Sequence, residues 1–96
     1  MTSDAGFDPA KVAAALRVLE TELRDELGGE DAARALRALR RELGRVVSLA
    51  RAWAARYELP VDGIPDPPSP GADAAECIAC LRRLAVELRR LGARRR

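Results

Sequence analysis

The chain has 96 residues, 17 basic against 15 acidic side chains for a net charge of +2, an apolar share of 48%, and no histidine. That is one small domain with enough apolar surface to fold, too charged to span a membrane and too apolar to stay disordered. Without histidine, and with Lys11 as its one lysine, it lacks the groups most used for proton transfer near neutral pH, so no enzymatic activity is expected.

The bias toward Ala, Arg, Gly and Pro and away from Lys, Asn and Gln is what a GC-rich, bacterial genome produces, so part of the arginine excess is mutational. The opening Met1–Thr2–Ser3–Asp4 has neither the basic start nor the apolar run of a secretory signal. No apolar stretch approaches the roughly 20 residues of a membrane span. Two cysteines without a wider framework fit a reducing compartment. These points together lead us to expect a cytoplasmic protein with no membrane contact.

The first helix is expected over about residues 8–27. Asp8 can cap it, Pro9 suits its first position, and Phe7 and Val12 are spaced for a hydrophobic staple. Its apolar stripe runs Val12, Leu16, Leu19, Leu23, Leu27, in steps of four and three. Gly28–Gly29 leaves room only for a tight turn, so the next helix must fold back antiparallel.

The second helix, expected over about 30–57, begins with Glu30 and Asp31 at the positive end of its dipole. Its seam is Ala32, Leu36, Leu39, Leu43, Val46, Ala50, Trp53, Tyr57, with Ala33, Ala35, Val47, Leu49 and Ala54 widening it. A face that wide suits a central helix touching two neighbours. Gly44 falls outside the seam.

Pro60, Pro65, Pro67, Pro68 and Pro70, with Gly63 and Gly71, make residues 59–71 a semi-stiff connector. The third helix is expected over about 72–91, capped through Ser69–Pro70 or by Asp73 with Glu76. Its stripe is Cys77, Leu81, Leu84, Leu88, Leu91, with Ile78 and Ala85 beside it. Gly92 is expected to end it, leaving a basic tail over 92–96.

These elements predict an all-α, small up-down three-helix bundle: a helical hairpin, the connector, then the third helix. Counting back from the glycine turn places Phe7 with Trp53 and Tyr57 at one end, to be covered by Leu59, Val61 and Ile64. That favours a third helix antiparallel to the second, with Arg94, Arg95 and Arg96 near Glu26, Glu30 and Asp31. An extended connector could instead carry the third helix to the opposite end and make it parallel.

Charge is segmental: acidic to Glu30, basic through the second helix, acidic across the connector and basic from Cys77 onward. On the second helix Arg34, Arg37, Arg41, Arg45 and Arg51 fall outside the seam, as do Arg82, Arg83, Arg89 and Arg90 on the third. A one-signed ridge about 25 Å long could follow a phosphate backbone or an acidic protein. It has no aromatic residues for base stacking and no Asn or Gln to read adenine.

Cys77–Ile78–Ala79–Cys80 puts two thiols about a turn apart. They are core packing, or an intermolecular pair joining two copies. A zinc site would need ligands from a second chain, and Glu76 beside Cys77 disfavours the thiolate that redox catalysis needs. The run Arg56–Tyr57–Glu58–Leu59–Pro60–Val61 after a long helix resembles a small all-helical chorismate mutase. That family requires an arginine–glutamate pair soon after and a polar side chain late in the last helix. Here Asp62–Gly63–Ile64–Pro65 follow, and Leu84, Leu88 and Leu91 fill the late stripe, so no family is assigned.

The expected function is therefore a non-enzymatic helical protein–protein interaction or adaptor module that self-associates, with Val18, Ala79 and Val86 as leftover apolar surface. The alternative is a small nucleic-acid-binding accessory subunit using the arginine ridges. No cofactor, metal or small-molecule substrate is expected.

Overall fold

The computed structural model describes residues 7–95; Met1–Asp4, Arg96 and the side chain of Arg95, all used above, lie outside what it describes. Three helices follow in order, α1 (Pro9–Leu27), α2 (Ala32–Arg56) and α3 (Ala74–Arg95), with no strand among the described residues. The all-α three-helix bundle is as predicted.

Each terminus has a local cause. Asp8 caps α1, its Oδ1 accepting from the amides of Ala10 (3.0 Å) and Lys11 (3.3 Å), with Pro9 at the first helical position. At the other end the Gly28 amide donates back to the carbonyls of Asp25 and Glu26. For α3, Asp73 and Glu76 form a reciprocal capping box. Asp73 Oδ1 accepts from the Glu76 amide at 2.8 Å, and Glu76 Oε1 accepts from the Asp73 amide at 3.4 Å.

α3 does not stop at Gly92 but runs on to Arg95. Gly92 serves packing instead: a Cβ there would lie 3.2 Å from Pro9 Cγ, so its bare backbone admits the first turn of α1. Residues 92–95 of the expected basic tail form the last turn of the helix.

The core is the predicted one. Leu39, Leu43, Val46, Leu81, Leu84 and Leu88 are buried, and Leu36 is half-buried against them. α2 returns antiparallel along α1. At one end the Phe7 and Trp53 rings lie 5.7 Å apart, and Trp53 and Tyr57 5.5 Å apart, which is the predicted aromatic cluster.

The direction of α3 corrects the expectation. Gly92 against Pro9, and Arg82 bonded to Glu20, make α3 antiparallel to α1. It is therefore parallel to α2: Arg40 reaches the Ala72 carbonyl at one end, while Trp53 lies with Arg89 and Gly92 at the other. Arg94 accordingly stands at the start of α1, not beside Glu26, Glu30 and Asp31.

The physical reason is that the connector's apolar side chains find cover along its length rather than over the bundle's end. Returning beside α2 and α3, it buries Ile64, Pro65 and Ala72. Asp66 is held on both sides, accepting from Arg51 Nη2 at 2.7 Å and, through its carbonyl, from Cys80 Sγ at 3.6 Å. Of the three residues expected to cover the aromatic end, Ile64 is buried, Leu59 half-buried and Val61 exposed. An extended route and a packed connector thus occur together.

Candidate functional site

With the connector running along α2 and α3, the α1–α2 side of the bundle is left open. The main stripe of α1 faces the core, but Ala15 and Val18 continue it sideways; on α2, Ala35, Ala38 and Leu49 do the same. Ala15, Val18, Leu19, Leu23, Ala35, Ala38 and Leu39 line one groove, edged by Glu22, Glu26 and Glu42. A second crevice continues it toward the aromatic end through Val12, Leu16, Val46 and Leu49. Val18 is 57% exposed and Leu49 43%, values that mark apolar surface left uncovered. The alanines keep the groove shallow, so a helix laid in it could approach closely.

The carboxylates that line it come from both helices. The α1 side carries Glu22 and Glu26 and the α2 side Glu42, while Arg34 and Arg45 line the adjoining crevices at either end. Arg45 pairs with Glu42 within α2, and the carboxylate holds its guanidinium charged to still higher pH than usual. Glu22, Glu26, Arg34 and Arg41 form no ion pair among the described residues.

The α1–α3 side is bridged by charge. Arg82 donates to Glu20 Oε2 from Nε at 2.8 Å and from Nη2 at 2.6 Å, and Arg24 adds a third contact at 3.2 Å. The Glu20 side chain is only 13% exposed, and the Arg82 hydrogen bond holds its carboxyl below the ordinary 4.5. Arg17, Arg89 and the exposed Val86 line the rest of this side.

The nine arginines of the predicted ridge are dispersed. Arg34, Arg37 and Arg41 share the outer side of α2 without ion pairs among the described residues, beside Arg45 and its Glu42. Arg51 turns to Asp66 of the connector and Arg82 to Glu20. Arg89 lies at the bundle's end with Asp8, Pro9 and Trp53. Arg83 and Arg90 are exposed on α3, Arg90 within 3.5 Å of Glu87. The acidic connector passes between α2 and α3, interrupting any common ridge.

Arg40, which the sequence did not single out, is the arginine the fold uses most directly. Its Nε donates to the Ala72 carbonyl at 2.9 Å and its Nη2 to the same oxygen, tying α2 to the end of the connector. The available signal was its position directly after Leu39 and one heptad before Val47, on the flank of α2 that has to meet a neighbour.

Cys77 has no exposed surface and Cys80 is half-buried beneath the connector. Burial pushes both thiols up, in Cys77 against the opposing pull of Arg40, so neither is poised as a thiolate. Cys77 is enclosed in the core, while Cys80 keeps part of its surface accessible. Among the described residues no three His, Cys, Asp or Glu side chains converge to hold a metal, and no helix is long and apolar enough to cross a membrane. Compared with family models, curated proteins and solved structures, the chain finds no match.

Proposed function

We propose that this chain is a non-enzymatic interaction module that self-associates through its α1–α2 face. The observation that carries this is the open groove bounded by Val18 and Leu49 and lined mostly by apolar side chains, whereas the α1–α3 side, which leaves Val86 exposed, is bridged by Glu20 and Arg82. Burying such a surface is favourable by roughly 25 cal/mol per Å² before the costs of association. The absence of histidine and the raised thiols argue in the same direction, away from catalysis.

Val18→Asp tests it. The side chain is exposed, so helicity by circular dichroism is expected to stay intact, while the dimer dissociation constant rises about tenfold or more, near 1.4 kcal/mol. An unchanged dimer would remove the α1–α2 face from consideration. Nucleic-acid binding stands second: Arg34, Arg37 and Arg41 form a stripe only about 10 Å long. Salt-sensitive binding of duplex DNA or single-stranded RNA by a protein that stays monomeric would bring that alternative forward.

A further inference from the structure

We infer that the α1–α2 groove also receives a basic amphipathic helix of a partner protein, in competition with the second copy. This goes beyond the self-association proposed above and rests only on its reading of this face as an interface. The charge around the groove carries it. Glu22, Glu26 and Glu42 line the groove among apolar side chains, with no basic residue beside them. The crevice that adjoins it at the α1–α2 turn adds Glu30 and Asp31 against one arginine, Arg34. Glu42 is held by Arg45 within α2, whereas Glu22, Glu26, Glu30 and Asp31 form no ion pair among the described residues.

Shape selects a helix as the occupant. Ala15, Ala35 and Ala38 leave a shallow trough between α1 and α2, and Val18 and Leu19 give it aliphatic surface. Small residues there let an incoming helix settle about 8–10 Å from the axes of both neighbours. From Val12 to Glu26 the trough and its continuation run for about 21 Å, close to four helical turns. Apolar side chains repeating every three or four residues fill such a trough.

Charge selects the sign of its flanks. Arginines or lysines beside the apolar stripe reach Glu22 and Glu26, which stand one turn apart on α1. A second copy brings the same three carboxylates to the contact, so like charges weaken that pairing, and an acidic helix meets the same repulsion. A basic helix turns these charges into attraction, which makes it the stronger occupant.

The probe is a helical peptide of about 14 residues, with leucines along one stripe and arginines on both flanks. By fluorescence anisotropy it is expected to bind the full chain at least about tenfold more tightly than the same peptide with glutamates for arginines, and than a scrambled peptide of equal composition. Its affinity should fall several-fold between low and high salt, and saturating peptide should dissociate the dimer. Glu22→Gln with Glu26→Gln is expected to weaken peptide binding about tenfold while leaving the dimer at least as stable as in wild type, because it removes like charges from that contact. Both positions are exposed, and circular dichroism checks that the variant stays helical. Were it to unfold, the peptide comparison on the wild-type chain still decides.

No binding, equal affinity for the basic and acidic peptides, indifference to the double variant, or a dimer that the peptide leaves intact would each overturn this inference and leave self-association standing. A chain that stays monomeric yet binds the basic peptide through Glu22 and Glu26 would overturn self-association and leave this inference standing.

Discussion

Glu58 follows the last turn of α2 with φ at 56°, a left-handed backbone that side chains with a Cβ adopt at a cost. The turn demands it. The Leu59 amide reaches back to the Ala54 carbonyl at 2.8 Å and the Glu58 amide to Ala55 at 3.2 Å, the pair of bonds that closes a helix when the residue after the cap is left-handed. Glycine is the usual occupant, so Glu58→Gly is expected to stabilise the fold by about 0.5–1 kcal/mol. Urea denaturation should show a higher midpoint at unchanged slope. A lower midpoint would mean the Glu58 side chain contributes something its exposure conceals.

Glu20 carries a pH dependence of defined sign. Arg82 first, and Arg24 with it, hold its carboxyl below the ordinary 4.5. A depressed carboxyl stabilises the fold fully above its unfolded value and loses that contribution as pH falls through its folded value. Wild type should therefore exceed Glu20→Gln in stability near neutrality, and the gap should close as the solution is acidified below about pH 4.5. Thermal melts of the pair across that range decide it; a gap that widens in acid would reverse the assignment.

Among the elements, the three helices were legible in the sequence because their signals are local. Periodicity, Asp8–Pro9 and the Asp73–Glu76 box each act within a turn or two. Two features were not legible, since each depends on residues distant in the chain. Gly92 reads as a stop until Pro9 arrives to occupy the space its missing Cβ leaves. The direction of α3 turns on whether Ile64, Pro65 and Ala72 are covered along α2 or at its end, and both coverings satisfy the same apolar pattern.

Arg40 settles that choice locally by binding the Ala72 carbonyl. Arg40→Ala should cost roughly 1.5–3 kcal/mol, the range for a hydrogen bond to a charged group. It should also speed amide exchange over residues 64–77 more than in α1. Uniform loss of protection across all three helices would show that the connector is not separately held.

At the scale of the whole molecule, the bundle covers two of its three sides itself. The connector occupies the α2–α3 side, and Glu20 with Arg82 bridges α1 to α3. The α1–α2 side carries exposed apolar surface edged by Glu22, Glu26 and Glu42. The sequence disclosed parts of this face: Val18 stands out as surplus, and Ala35 and Leu49 widen the α2 seam. It could not show that they adjoin, because the wide α2 face fits a third helix on either flank, and in the fold the covered flank is the one that carries Arg40 and Arg51 to the connector. The arginines show the same dependence: helical position gives a residue's side but not what packs against it, and Arg51 and Arg82 pair with acidic partners elsewhere in the chain.

The most direct measurement is sedimentation equilibrium of the wild-type chain over a wide concentration range. Self-association through the open face predicts a mass rising from 10.4 kDa toward twice that value and no further, because a two-fold interface closes on itself. A mass fixed at that of one chain at every concentration would contradict the proposed function.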